Sequence, residues 1–132
     1  MATLTRVAAA SMDSSTGMFA PQVTGNLYAG EVLDVAAPCY IKASDGKVYM
    51  SNGTAANEAA SFDGFTARAC SSGEAVTLFG VGARFRYGTG LAVGNLFISA
   101  TAGRLDDAAT VGGTVAVARV INSTDIRVIR NG

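Results

Sequence analysis

Four consecutive residues, Arg84-Phe85-Arg86-Tyr87, hold the densest interaction chemistry in this chain. Side chains alternate along a β-strand, so Arg84 and Arg86 share one face while Phe85 and Tyr87 share the other. Two guanidiniums on one strand face suit bidentate contact with carboxylates of a partner, and the aromatics suit a core. Elsewhere the reactive groups thin out. Glu31, Asp34, Asp45, Glu58, Asp63, Glu74, Asp106, Asp107 and Asp125 are scattered, mostly beside Gly or Ser. That is the pattern of turn residues, not of a paired catalytic acid and base. Asp106-Asp107 lacks the ligand spacing of a calcium loop. Gly80-Val81-Gly82 lacks the strand-to-helix setting of a phosphate loop. The chain contains no His and no Trp, which removes the usual general base, the commonest metal ligand and the strongest aromatic platform. The expectation is a protein without catalytic residues, cofactor or metal.

Cys39 and Cys70 are too few for a disulfide framework and match no zinc spacing. Two buried free thiols are the preferred reading, since free Cys is among the most buried residue types. A Cys39–Cys70 bridge would close a long loop and add on the order of 3–4 kcal/mol, and the sequence leaves both states open. Lys+Arg and Asp+Glu are both 10, and no basic run exists that could track a phosphate backbone. Nucleic acid is therefore not an expected partner. No apolar stretch approaches the roughly 20 residues of a membrane span, and Val7 to Ala10 is too short for a secretory core. A membrane partner is not expected either, and synthesis in a cytoplasm is.

At 132 residues the chain fits one domain. Residues 1–26 are rich in Ala, Ser, Thr and Met without sustained periodicity, and they read as an extended N-terminal arm. Its Met12, Met18 and Phe19 suit docking on a neighbouring subunit, because a purely solvating tail would carry charge instead. From residue 27 to 132, short apolar stretches alternate with Gly, Asn, Asp and Ser, as in an all-β domain.

Within that domain residues 38–80 and 94–129 read as two copies of one β-unit. Tyr40/Phe97, Ile41/Ile98, Gly46/Gly103, Lys47/Arg104 and Val48/Leu105 match at an offset of 57. Ala67-Arg68-Ala69 matches Ala118-Arg119-Val120 at 51, which shortens the second copy by six residues, and Val76-Thr77-Leu78 matches Ile126-Arg127-Val128 at 50. Each copy opens with a hairpin, at Tyr40–Tyr49 and Phe97–Leu105, turning at Gly46 or Gly103. Further strands are expected around 62–69, 74–79, 81–87, 113–121 and 124–130, with the apolar run Val115–Ile121 central. Residues 55–60 read as a surface loop. Two such units packed face to face give a small β-barrel or sandwich.

Over 27–130 the chain resembles the capsid decoration, or cement, proteins of tailed bacteriophages. The resemblance lies in Tyr28-Ala29-Gly30-Glu31, Tyr40 to Tyr49, Gly73-Glu74-Ala75-Val76-Thr77-Leu78, Arg84-Phe85-Arg86-Tyr87 and Leu96 to Leu105. It implies a non-enzymatic structural protein on the virion exterior, made in the host bacterial cytoplasm. Its partners would be the major capsid protein and other copies of itself, a homotrimer being favoured. Capsid stabilisation would come from clamping neighbouring subunits, with Met12, Met18, Phe19, Arg84 and Arg86 as the expected interface. The alternative is a receptor- or carbohydrate-binding module displayed on a virion or cell surface, with exposed aromatics lining a groove.

Overall fold

Turn-forming residues recur so closely that no strand among the described residues exceeds five residues. The computed structural model describes residues 3–4, 22–23 and 27–129. Its strands are β1 (Gln22–Val23), β2 (Pro38–Ile41), β3 (Val48–Met50), β4 (Gly64–Thr66), β5 (Leu78–Phe79), β6 (Arg84–Arg86), β7 (Gly94–Ile98), β8 (Leu105–Asp106), β9 (Ala118–Val120) and β10 (Asp125–Val128). They form two five-stranded sheets, ordered β1-β5-β4-β2-β3 and β6-β10-β9-β7-β8, in which every ladder is antiparallel. The protein is all-β. Among the described residues the sheets stay open, so of the two expected architectures the arrangement is sandwich-like and not a closed barrel.

The two expected hairpins are both present. Tyr40 faces Tyr49 and Ile41 faces Val48 in one hairpin, while Phe97 faces Asp106 and Ile98 faces Leu105 in the other. The hairpins close through Lys42 N–H to the Lys47 carbonyl at 2.9 Å and Ser99 N–H to the Arg104 carbonyl at 3.1 Å. Gly46 and Gly103 take φ of 71° and 73° in the two turns. Their N–H groups diverge: Gly46 donates to the Lys42 carbonyl at 2.8 Å, and Gly103 donates to the Ser51 carbonyl at 2.9 Å.

The apolar pattern decides how the sheets lie. On the first sheet both faces are apolar, and β4 and β5 are buried throughout. Phe65 and Phe79 point into a core shared with Phe85, Leu96, Ile126 and Val128 of the second sheet. The Phe65 ring meets those of Phe62 and Phe85 edge to face, each at 5.1 Å, an arrangement favoured by the ring quadrupoles. Cys39 and Leu78 point the other way, under a cover that includes Leu27, Leu33 and Ala37. In contrast, β6, β9 and β10 alternate buried and exposed residues, as strands with one solvated face do.

Several strands are shorter than expected because side chains divert the backbone. β4 stops at Thr66, whose hydroxyl donates to the Asp34 carbonyl at 2.6 Å and accepts from Ala37 N–H at 3.1 Å. β9 starts only at Ala118, after a turn in which Gly113 N–H donates to Thr110 Oγ1 at 2.9 Å. Residues 58–60 form a 3-10 turn within the expected loop, capped by Asn57 Oδ1, which accepts from Ala59 N–H at 3.0 Å.

The described parts of residues 1–26 lie on sheet edges. β1 pairs with β5. Thr3 bridges to Asp106, Leu4 N–H donates to the Leu105 carbonyl at 2.8 Å, and Leu4 packs against the shared core. Met12, Met18 and Phe19 lie outside the described residues. No helix among the described residues is long and apolar enough to cross a membrane.

Candidate functional site

The alternation expected for Arg84-Phe85-Arg86-Tyr87 is present. Phe85 and Tyr87 are buried, whereas Arg84 and Arg86 are exposed on the outer face of the second sheet. Sheet pairing then adds two residues that strand periodicity alone did not single out. Arg127 on β10 lies directly opposite Arg84 on β6, and also directly opposite Arg119 on β9. Asn95 on β7 completes the row beyond Arg119. Three guanidiniums thus stand side by side across three adjacent strands, with Arg86 one pair further along. The signal was present in Ala118-Arg119-Val120 and Ile126-Arg127-Val128, where a charge sits between two buried residues. Their juxtaposition depends on strand order, which spacing along the chain does not give.

Asp125 is the carboxylate within this face. Its Oδ2 accepts from Arg84 Nε and lies near Arg84 Nη2, both at 3.2 Å. Arg86, Arg119 and Arg127 form no ion pair among the described residues. Like charges directly opposite one another in a sheet are destabilising, by up to about 1 kcal/mol per pair. The row runs along a groove of about 560 Å³ whose other walls include Val93, Ile121 and Ile129. These aliphatic side chains are 70%, 38% and 41% exposed. Residues 81–129 carry five arginines against three aspartates, while residues 27–80 carry six acids against three bases. The chain is neutral as a whole yet polarised.

Other carboxylates are engaged by backbone N–H groups, several of them far away in sequence. Asp63 accepts from Ile41 N–H at 2.8 Å, Glu31 from Met50 N–H at 2.9 Å and Glu58 from Ala43 N–H at 2.7 Å. Asp45 accepts from Lys47 N–H and from the Tyr49 hydroxyl, and these bonds hold its carboxyl below the ordinary carboxylate range. Among the described residues no three His, Cys, Asp or Glu side chains converge on a metal-sized site. A second hollow, of about 310 Å³, lies beside Cys70. Its arginine, Arg68, is already engaged with Glu74 at 3.2 Å. Both cysteines are buried thiols, with Cys39 Sγ donating to the Ala37 carbonyl at 3.4 Å and Cys70 Sγ to the Arg68 carbonyl at 3.6 Å. Burial raises the Cys70 thiol above its ordinary pKa, which keeps it from being a thiolate nucleophile at neutral pH. The chain matches no protein-family model and no curated protein.

Proposed function

We propose that this is a non-enzymatic structural protein of a tailed-bacteriophage virion, which binds the outside of the assembled capsid and stabilises it by clamping neighbouring subunits. The observation that carries this reading is the open arginine row on the second sheet, with its aliphatic rim. A sheet face that keeps like charges in register at a cost to its own stability is suited to a partner that neutralises them. Arg84 and Arg86, expected at the interface from sequence, belong to this face, and Arg119 and Arg127 join them.

Scaffold organisation supports the same reading. We read the two sheets as one β-unit used twice, since strand order and ladder register correspond throughout. On that reading Gly64–Thr66 corresponds to Ala118–Val120 at an offset of 54, and Leu78 to Ile126 at 48. The second unit is then three residues shorter in its middle loop, not six. A duplicated β-scaffold with carboxylates committed to backbone N–H groups is suited to holding surfaces in place. A protein that binds only the assembled shell stabilises it by mass action, and many copies multiply a modest affinity. Self-association as a trimer belongs to the same proposal.

Co-sedimentation with undecorated phage heads tests the assignment. Saturable binding that raises the heads' resistance to heat or chelation is expected. Binding to a glycan array, without binding to heads, would replace it with the carbohydrate-module alternative.

A further inference from the structure

We infer, resting on the reading of this sheet face as a docking surface, that the groove over Arg84, Arg127 and Arg119 takes an extended acidic segment of a partner protein, with carboxylates at two alternate positions and aliphatic residues beyond them on the same face. Charge complementarity is the first ground. The face presents four arginines and one carboxylate, and that carboxylate is already shared with Arg84. A planar guanidinium presents two parallel donors to a carboxylate, so an arginine row is selective for such groups in a way that lysines are not.

Spacing gives the second ground. Adjacent strands lie about 4.8 Å apart, so three neighbouring arginines span about 10 Å across the sheet. Same-face side chains of an extended segment recur about every 6.8 Å. Two carboxylates at positions i and i+2 therefore fall within the row. Aliphatic residues at i−2 and i+4, on the same face as the carboxylates, then reach Val93, Ile121 and Ile129 on the groove walls. That rim favours a peptide over a polynucleotide, which would need aromatic stacking platforms or a longer basic track.

A third ground comes from inside the molecule. The row Arg84-Arg127-Arg119-Asn95 in the second sheet corresponds to Gln22-Phe79-Phe65-Pro38 in the first. Phe79 and Phe65 are covered by the second sheet. The same face of the same strand order is thus a packing face in one sheet and an open one in the other.

The experiment uses the full chain and a fluorescein-labelled peptide containing Val-Ser-Glu-Ser-Glu-Ser-Val, which puts both glutamates and both valines on one face, followed by fluorescence anisotropy at low and high salt. Binding that weakens with salt is expected, together with at least a tenfold loss in Arg119→Gln/Arg127→Gln, about what losing one charge-assisted hydrogen bond produces. Arg104→Gln, on the β7–β8 hairpin, should bind as the parent does. Equal binding by parent and double variant overturns the inference, as does no binding by the parent. Tighter binding of a single-stranded oligonucleotide than of the peptide also overturns it. Head co-sedimentation separates the two readings. Peptide binding that depends on the arginines, without head binding, supports the groove and overturns the capsid assignment. Heads bound equally by parent and double variant support the capsid assignment and overturn the groove as its contact.

Discussion

Phe65 and Arg119 hold the same ladder position in the two sheets, and Phe65 alone is buried. Each stands directly opposite its counterpart on the next strand, Phe79 or Arg127. In the first sheet the aromatic pair is the surface on which the second sheet packs. In the second sheet, charge at both positions keeps the face in water and stops a further sheet from stacking there. Arg119→Phe/Arg127→Phe should therefore create an exposed aromatic face and drive self-association. Sedimentation velocity over a concentration series is expected to show larger species for the double variant than for the parent. Identical profiles would mean that charge at these positions does not limit stacking.

Thr66 holds the cover of the first sheet in place. Its buried hydroxyl donates to the Asp34 carbonyl and accepts from Ala37 N–H, tying the segment beneath the sheet to the end of β4. Thr66→Val keeps the shape but leaves both backbone groups without that partner. A loss on the order of 1–3 kcal/mol is expected, read as a lower denaturant midpoint with an unchanged slope. A midpoint equal to the parent's would show that neighbouring groups replace the hydroxyl.

Gly46 and Gly103 share a left-handed backbone but not their surroundings. A Cβ at Gly46 would meet nothing within 4 Å, whereas one at Gly103 would crowd the Met50 thioether. A β-branched residue at positive φ costs about 1–3 kcal/mol by itself. Gly46→Val should therefore fall in that range, and Gly103→Val should cost more, although the Met50 side chain can yield in part. Equal losses in denaturant melts would show that Met50 moves aside freely.

The hairpins were legible in the sequence, because a turn glycine between apolar pairs fixes register locally at Ile41/Val48 and Ile98/Leu105. The alternation of Arg84 to Tyr87 was legible for the same reason. The ends of the later strands were not, because Ala67-Arg68-Ala69 looks like the strand Ala118-Arg119-Val120 although Thr66 has already ended β4. Nor could local pattern show Arg84, Arg127 and Arg119 in one row, since each sits on a different strand and strand order is a property of the whole chain. That Phe85 and Tyr87 face the core while Arg84 and Arg86 face water followed from period two. Which arginines would be neighbours did not.

Stability should fall off at both ends of the pH scale for different reasons. The Tyr49 hydroxyl and Lys47 N–H lower the Asp45 pKa, and the Ser71 N–H with the Arg68 guanidinium lowers that of Glu74. A depressed pKa lends stability above the unfolded value and withdraws it as pH falls through the folded one. Burial raises Cys70, and burial with the nearby charges of Glu58, Glu31 and Asp45 raises Tyr40. Their contribution is present below the unfolded pKa and is lost as pH rises through the higher folded values. The melting temperature is thus expected to be flat near neutrality and to drop below about pH 4 and above about pH 9. Asp45→Asn/Glu74→Gln should flatten the acid side slightly, both groups being exposed, and soften the alkaline side too, because Asp45 raises the Tyr49 and Tyr40 hydroxyls and Glu74 raises the Cys70 thiol. An acid side as steep as the parent's would remove these two carboxylates from the account.

Two deletions separate the N-terminal segment's role in the fold from its role in docking. Removing residues 1–21 takes away Thr3 and Leu4 but leaves β1 on the edge of β5, whereas removing 1–26 takes β1 as well. Both should retain β-structure by circular dichroism, because the shared core is built mainly from residues 36–128. The longer deletion uncovers the β5 edge, and an unpaired edge is a template for aggregation, so it should be the less stable and less soluble of the two. Ordering a free segment costs roughly 1–2 kcal/mol per backbone residue, so docking must bury enough apolar surface to offset it. If Met12, Met18 and Phe19 supply that surface, the shorter deletion loses most of its occupancy on undecorated heads while keeping β1 in place. Full occupancy after removal of 1–21 would make the segment dispensable for docking and leave the arginine face as the contact to test. Failure of the shorter deletion to fold would place Thr3 and Leu4 among the residues that hold the second sheet together.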